Sequence, residues 1–298
     1  RFLNAIAEEV EKVRPEVMVE SLIYMETRKP PKLTKPRHNV SPCLCAFECD
    51  RRNPLGEPGN VRNEKFVSDL QAWGRLSDNL YIWDYTTNFR NYVYPFPVEH
   101  VFQSNLRLFR DNNAKFIFEE GGGPHADFAE LKAWLLAKWM WNPDLDEKVL
   151  LDTFFAGYYG AAAPFVREYY DRSRALMQAS PKSEPVRIFM EKPPKFWTPE
   201  FNDWALAKLA EATEAVKNDP VRLGNVRYTL LGPQTVALDR AAEKAKHFFV
   251  TRHPERFPSV DALRPIYTEV MKTVEMARTP VGPDPKSSRA AKVAFCAG

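Results

Sequence analysis

The first 125 residues alternate short apolar strands with amphipathic helices, and this alternation constrains the fold more than any other feature of the chain. Strands that are separated by helical crossovers run parallel in one sheet, so the pattern predicts an α/β fold. A helical pattern is present from Arg1 onwards, without a capping residue before it. The apolar stripe of this helix consists of Phe2, Ile6, Val10 and Val13. The predicted strands cover residues 17–24, 40–48, 79–85 and 115–119, and further helices carry residues 66–73 and 98–111.

Polar and aromatic side chains gather where each predicted strand ends, as at Tyr24, Glu48, Trp83 and Glu119. Both a doubly wound sheet and a barrel fit alternating strands and helices. In a (β/α)8 barrel the site is built from the carboxyl ends of the strands, so the pattern favours the barrel. Four strands are half of such a TIM barrel. We therefore expect residues 1–125 to form its C-terminal half, with the other half preceding Arg1 in a longer parent protein.

After residue 125 the periodicity is helical, and we expect an all-α domain over residues 126–278. Asn142-Pro143 ends the first of its helices, and Gly157 is predicted to cap the second. Residues 279–298 are rich in Pro, Ser and Lys without periodicity, which predicts a disordered tail. The predicted helices span residues 126–141 and 146–157, begin near Pro164 and at Thr198-Pro199, and then cover about 221–249 and 261–277.

Composition excludes several classes of protein. The chain has 42 basic and 39 acidic residues, and a net charge of +3 gives no support to a nucleic-acid partner. It has no run of 18 apolar residues, so we expect no membrane insertion. Four cysteines are too few for a disulfide scaffold. The 13% aromatic content, by contrast, indicates either large cores or flat surfaces that stack against a ligand.

The segment IWDYTTNFRNY, residues 82–92, is the strongest candidate for a binding site. Trp83 and Tyr85 flank Asp84 at a strand end, and Asn88 follows in the loop. Aromatic rings stack against the C–H face of a pyranose, while a carboxylate accepts hydrogen bonds from sugar hydroxyls. The alternative is that both rings fill the core and Asp84 caps a loop. The residues leave both interpretations open.

Glu119 and Glu120 stand between an apolar strand and three glycines. The glycines allow a sharp turn or the close approach of a ligand. Only one of two adjacent strand residues faces the barrel axis, and we expect Glu119 to be that residue. The alternative is a helix-entry loop in which a glutamate interacts with the N-terminus of the following helix.

Glu48 lies close to three cysteines in the segment CLCAFECD. Structural zinc normally needs four closely arranged N or S ligands, and these cysteines lack a second pair or a histidine cluster. We therefore predict no metal site and buried thiols. Strand alternation places Cys43, Cys45 and Phe47 on one face, and Leu44, Ala46 and Glu48 on the other.

Other catalytic motifs are missing from the sequence. It contains no G-x-S-x-G, no G-x-G-x-x-G and no P-loop, so neither a serine hydrolase nor a nucleotide cofactor is expected. Carboxylates combined with aromatic platforms remain. This combination suits glycoside chemistry, in which one acid protonates the leaving oxygen. The second group is either another carboxylate or the acetamide of the substrate itself.

Four long segments resemble the domain-of-unknown-function family 4838 of bacterial proteins. They are NLYIWDYTTNFRNYVYPFP (79–97), FIFEEGG (116–122), ELKAWLLAKWMWNPDLD (130–146) and FFAGYYGAAAPFVREYY (154–170). FLNAIAEEV near the start and TRKPPK add to the likeness, which covers about residues 1–175. The family is similar to glycoside hydrolases, and related members form glycoside hydrolase family 163, endo-β-N-acetylglucosaminidases that act on complex N-glycans.

The resemblance implies a barrel of which the last half is present here. Its acid and partner carboxylate would follow the fourth barrel strand, upstream of Arg1, and the residues here would hold the sugar. Where many relatives have Glu-Gln-Gly, this chain has Glu119-Glu120-Gly121, which puts the second position in doubt as a ligand contact. The likeness also implies a periplasmic or secreted protein. The predicted substrate-binding residues are Tyr24, Glu48, Trp83, Asp84, Tyr85, Asn88, Glu119 and Glu120, and Glu48 and Glu119 are the candidates for catalysis within the chain.

These observations lead to one expected function and two alternatives. We expect a glycosidase that acts on N-acetylhexosamine-containing glycans, active in its parent and inactive as this chain alone. The first alternative is a non-catalytic carbohydrate-binding protein that has the aromatic platform but no acid pair. The second is a metabolic or scaffold protein whose aromatic residues only fill the core.

Overall fold

The computed structural model describes residues 1–121, 126–181 and 184–251, together with 264, 265 and 268, and it describes side chains in α8 only as far as residue 243. His125, the predicted tail over 279–298 and nearly all of the predicted helix over 261–277 lie outside these residues. The described chain is a mixed α/β protein, as the alternation of strands and helices predicts.

Four parallel strands form one sheet in the order β1-β2-β3-β4. Each neighbour in the sheet is also the next strand along the chain, so the order does not reverse. All four predicted strands are present, with ends that differ from the prediction by at most a few residues. The strands are β1 (Val19–Ile23), β2 (Val40–Cys45), β3 (Leu80–Tyr85) and β4 (Ala114–Glu120).

Helices pack on one face of this sheet. Leu44, Leu80 and Ile82 belong to the same buried cluster as Phe66 and Phe109 of the helices. The connection from β1 to β2 has a short 3₁₀ turn, Met25–Thr27, and a proline-rich loop in place of a helix. The helices of this half are α1 (Phe2–Val13), α2 (Val61–Leu76) and α3 (Phe102–Asp111).

The other face of the sheet is partly open. The strand register places Leu22, Cys43, Tyr81 and Phe116 side by side on this face. Leu22 is 46% exposed and Phe116 is 53% exposed. Strands of a parallel sheet are normally covered on both faces, so this face exposes apolar side chains that such sheets usually bury.

Helix α1 forms as predicted, but its apolar stripe is not buried. Phe2 and Val13 are largely exposed, whereas Ala7 is fully buried. Asn39 Nδ2 donates a hydrogen bond of 2.8 Å to the carbonyl oxygen of Ala7 and so ties the helix to the start of β2. The small side chain of Ala7 allows this close approach.

Within residues 126–251, apart from the undescribed 182 and 183, five helices follow the sheet: α4 (Ala129–Trp141), α5 (Glu147–Tyr159), α6 (Ala163–Ala179), α7 (Pro199–Ala215) and α8 (Pro220–Thr251). The side chains of Asp146 and Thr198 accept hydrogen bonds from the first turns of α5 and α7, as N-caps do. The predicted cap at Gly157 is wrong, because α5 continues for two residues to Tyr159 and is followed by Gly160 as its C-cap, with a φ of +56°. One buried apolar cluster extends from the sheet through these helices.

One helical stretch among the described residues, Glu147–Ala179, is long and apolar enough to cross a membrane by length and composition. It comprises α5, a 3₁₀ turn and α6, and it contributes Phe155, Tyr159 and Tyr170 to the core. Core helices of soluble proteins pass the same test, so this finding is weak evidence for a span.

Two glycines inside helices provide a test of the packing between α2 and α3. A Cβ at Gly74 in α2 would lie 2.2 Å from the carbonyl oxygen of Asn112, whereas a Cβ at Gly157 in α5 would meet nothing within 4 Å. We expect Gly74→Ala to lower the free energy of unfolding by about 1–3 kcal/mol, because backbone must move. We expect Gly157→Ala to raise it by up to about 1 kcal/mol through helix propensity.

Urea unfolding followed by circular dichroism measures both changes. Gly157→Ala is the matched control, because it makes the same substitution in a helix with open surroundings. Stabilisation of similar size in the two variants would contradict the close approach of α2 to the end of α3.

Candidate functional site

Strand alternation divides the predicted site residues between the two faces of the sheet. The register pairs Asp84 with Glu119, and Tyr85 with Glu120. Trp83, Tyr85 and Glu120 therefore share the open face, while Asp84 and Glu119 share the face that the helices cover. The predicted single pocket of rings and carboxylates is not formed.

An aromatic surface covers the carboxyl ends of the strands on the open face. The Phe47 ring lies 6.3 Å from that of Tyr24, 5.7 Å from that of Tyr85 and 5.6 Å from that of Phe189, measured between ring centroids. Tyr24 and Phe189 are 42% and 52% exposed. We define the aromatic surface as Tyr24, Phe47, Trp83, Tyr85, Phe89, Phe118 and Phe189.

Glu120 provides a carboxylate at this surface. The indole Nε1 of Trp83 donates a hydrogen bond of 2.8 Å to Glu120 Oε2, and the Trp83 ring meets Phe118 edge-on at 4.8 Å. Both contacts fix the orientation of the indole. Glu120 is partly exposed and retains further acceptor capacity, so a ligand on the aromatic surface would meet flat apolar rings and a hydrogen-bond acceptor together.

The cysteines near the strand ends are buried on both sides of the sheet: Cys45 packs with the rings of the aromatic surface, and Cys49 belongs to the main core. Cys43, Cys45 and Cys49 are free and buried, as predicted, and Cys296 lies outside the described residues. A hydrogen bond with Cys45 and burial both raise the pKa of the Cys43 thiol, and burial raises the pKa of Cys49 to about 12. Burial, with the neighbouring Cys45, raises the pKa of Tyr85. Within the described part of the chain, no group of three or more His, Cys, Asp or Glu side chains could hold a metal.

A buried charge cluster of Arg51, Asp84 and Glu119 occupies the other face. Arg51 and Asp84 are almost fully buried, whereas Glu119 is half-buried and, of its carboxyl oxygens, only Oε2 is shielded from solvent. The Arg51 guanidinium is ion-paired with Asp84, whose carboxylate also accepts a hydrogen bond of 2.9 Å from the backbone N–H of Tyr85. Burial raises the pKa of Glu119 well above its usual value, the charge of Asp84 adds to this effect, and Arg51 opposes it. These effects favour the neutral form of Glu119, which can donate a hydrogen bond.

Two predictions are therefore wrong. Glu119 does not face the open side of the sheet, because its position in β4 matches that of Asp84 and not that of Trp83. Asp84 does not accept hydrogen bonds beside the rings, because it is only 3% exposed and its carboxylate is held by Arg51 and the Tyr85 backbone.

Glu48 takes part in a separate ion-pair network. Arg28 Nη1 donates to Glu48 Oε2 at 2.5 Å, and Arg28 Nε donates to Asp69 Oδ2 at 2.7 Å. The indole of Trp73 donates to the carbonyl oxygen of Arg28. The network links the ends of β1 and β2 to α2. This assigns a structural contact to Glu48, the other residue predicted as a catalytic candidate.

An extended segment, residues 186–190, crosses the strand ends and is called the strap below. The Arg51 backbone N–H donates to Val186 O at 2.8 Å, and the Phe89 backbone N–H donates to Ile188 O at 2.7 Å. The strap brings Phe189 to the aromatic surface. Phe189 is not predictable from the sequence, because it lies in the longest break between predicted helices, where no periodicity marks it.

Asn88 holds the strap in place and does not face a ligand. Its Nδ2 donates to Met190 O at 2.9 Å, and its Oδ1 accepts from the backbone N–H of Met190 at 2.9 Å. The side chain is fully buried. The structure thus gives Asn88, which the sequence predicts as a substrate-binding residue, a structural contact in which both ends of its amide bind backbone groups.

These features define an α/β protein whose parallel sheet carries an aromatic surface on one face and a buried charge cluster on the other. Residues 1–171 match the model of a family described as Domain of unknown function (DUF4838). This match covers more than half of the 298 residues, and the chain belongs to that family. It confirms the family resemblance predicted from the sequence. No curated protein and no solved structure matches the chain.

Replacing Asn88 tests its structural assignment. We expect Asn88→Ala to lower the free energy of unfolding by about 1–3 kcal/mol, because two backbone groups of Met190 lose their buried partner. Asn142→Ala is the control, since Asn142 is exposed. Urea unfolding measures both variants, and an Asn88→Ala loss no larger than that of the control would refute the assignment.

The raised pKa of Glu119 predicts a pH-dependent effect of its removal. The usual pKa of a glutamate is about 4.3. When the pKa of a glutamate is higher than this in the folded protein, the folded protein loses stability as pH rises above about 4.3. Glu119→Gln should therefore unfold at about the same urea concentration as the wild type near about pH 4, and at a higher one near about pH 8.

Glu120→Gln controls for the loss of one negative charge, because Glu120 is the next residue and lies on the open face. A difference between Glu119→Gln and the wild type that stays constant from acidic to basic pH would contradict the assignment of a raised pKa to Glu119.

Proposed function

We propose that the chain forms part of a glycoside hydrolase-like (β/α)8 barrel whose aromatic surface lines the sugar site. The parent protein is then a glycosidase that acts on N-acetylhexosamine-containing glycans, of the endo-β-N-acetylglucosaminidase or hexosaminidase type. The observation that carries the proposal is the aromatic surface with its carboxylate, Glu120, at the carboxyl ends of parallel strands.

The sheet topology supports the barrel. Neighbouring strands of a (β/α)8 barrel follow one another along the chain, whereas doubly wound sheets reverse their strand order at the ligand site. The sheet here has the sequential order, with helices on one face. In this proposal the open face, with Leu22 and Phe116, points to the barrel interior, and further strands cover it.

The geometry of the aromatic surface supports sugar binding. Tyr24 and Phe189 expose much of their rings, and Trp83 is held edge-on to Phe118. Rings held in this way stack against the apolar face of a pyranose at little entropic cost. Glu120 accepts hydrogen bonds from hydroxyl or amide groups beside them.

Catalysis requires an acid, together with a second carboxylate or the substrate's own acetamide. In our proposal the chain contributes sugar contacts, and the acid pair comes from the rest of the barrel. The position of Asp84 and Glu119 on the helix side also favours the alternative, a non-catalytic carbohydrate-binding protein. Release of oligosaccharide from a complex N-glycoprotein by the parent, tested beside binding, separates the two.

Removing the Trp83 ring tests the sugar site. We expect N-acetylchitooligosaccharides to bind the full chain, and Trp83→Ala to weaken their binding about tenfold, which corresponds to about 1.4 kcal/mol. Stacking contributes energy of this order. Isothermal titration calorimetry measures the dissociation constants.

Trp141→Ala is the matched control, because Trp141 is 91% exposed at the end of α4 and lies outside the aromatic surface. Unfolding curves of both variants verify that they fold. The proposal is contradicted if Trp83→Ala and the wild type bind with equal affinity. It is also contradicted if the chain binds none of the N-acetylhexosamine glycans on an array.

A further inference from the structure

A cavity of about 350 Å³ lies where β3 and β4 end against α4. One wall is apolar and consists of α4 side chains, among them Ala129, Ala133 and Leu136. A mostly apolar cavity of this size with a few converging polar groups is typical of small-molecule sites. The polar residues that line it are Thr86, Thr87, Glu119, Glu130 and Lys132.

Glu119 lines this cavity, and one of its two carboxyl oxygens has no hydrogen-bond partner among the described residues. This oxygen, Oε2, is buried. A buried polar atom without a partner destabilises the folded protein, and a ligand that pairs with it removes that cost. In the described part of the chain no hydrogen bond joins Glu119 Oε2 to Asp84, and the bonds to Asp84 from Arg51 and from the Tyr85 backbone both go to its Oδ1. A ligand oxygen in the cavity would accept a hydrogen bond from the neutral Glu119.

Lys132 and Arg51, the two cations described near the cavity, already bind oxygen atoms of the protein. Lys132 Nζ donates to Phe96 O at 3.0 Å and lies 3.5 Å from Glu99 Oε1, and Arg51 is paired with Asp84. Among the residues that the structure describes, the cavity therefore has no spare positive charge to neutralise an anion. Its lining suits a neutral ligand that has one oxygen acceptor and a small apolar group.

We propose that this cavity is a second binding site, which takes a small neutral amide whose carbonyl oxygen accepts a hydrogen bond from Glu119. The alkyl part of the ligand packs on Ala129, Ala133 and Leu136. The site lies on the helix side of the sheet, opposite the aromatic surface, so it does not depend on the function proposed above.

N-acetylglycinamide is a suitable neutral probe, and N-acetylglycine is its anionic counterpart. Both are added to the full chain with 13C-labelled alanine methyl groups. We expect N-acetylglycinamide to shift the methyl signals of Ala129 and Ala133, and N-acetylglycine to bind at least about tenfold more weakly, a difference of about 1.4 kcal/mol.

Two variants at Glu119 separate its role as a donor from its charge. Glu119→Ala should weaken N-acetylglycinamide binding about tenfold, whereas Glu119→Gln keeps an N–H donor and should retain it. Wild-type binding should fall as pH rises through the raised pKa of Glu119, and Glu119→Gln should lack this dependence. The charged groups that line the cavity or pair beside Glu119 are Asp84, Arg51, Glu130 and Lys132.

A cavity-filling variant keeps the test independent of Glu119. Ala133→Leu should abolish binding while leaving the protein folded, as circular dichroism verifies, and Trp83→Ala should leave binding unchanged. The proposal is overturned if Glu119→Ala binds the amide as the wild type does, if the anion binds better, or if no methyl signal shifts up to the solubility limit. Loss of binding in Trp83→Ala would assign the amide to the aromatic surface instead.

Discussion

The buried ion pair between Arg51 and Asp84 is the interaction on which the arrangement at the strand ends depends. Arg51 is 1% exposed, donates to Ala46 O at 2.6 Å, and holds Val186 O through its backbone N–H. The pair thus joins the loop after β2, the end of β3 and the strap. Removal of one partner would leave an uncompensated charge in the interior, at a cost of about 3–5 kcal/mol.

The position of Asp84 in β3 decides which carboxylate each face of the sheet receives. Strand alternation places Asp84 on the helix side, where it pairs with Arg51, and Glu120 is the carboxylate that contacts the Trp83 indole on the open face. The charge of Asp84 remains beside Glu119 and adds to the effect of burial on the Glu119 pKa. Two adjacent glutamates thus have different surroundings: the pKa of Glu119 is raised on the helix side of the sheet, and Glu120 accepts a hydrogen bond from the Trp83 indole on the open face.

Local patterns were sufficient to predict the strands and most helices, because apolar periodicity depends on neighbouring residues. The faces of Glu119 and Glu120 were not predictable, since a shift of one residue in register exchanges the two sides of a strand. Phe189 was missed for a different reason. It reaches the aromatic surface through hydrogen bonds to residues about 100 positions earlier in the chain, and no local signal encodes such contacts.

Because of the strap, both the sheet and the helical part of the chain contribute side chains to the aromatic surface. Phe47 and Phe89 come from the loops after β2 and β3, but Phe189 comes from between α6 and α7 and contacts both rings. The sheet and the helical part also share one buried core, which continues from the sheet into α4 to α7. The helical part therefore does more than follow the sheet, because it supplies one wall of the surface and, through α4, one wall of the cavity beside Glu119.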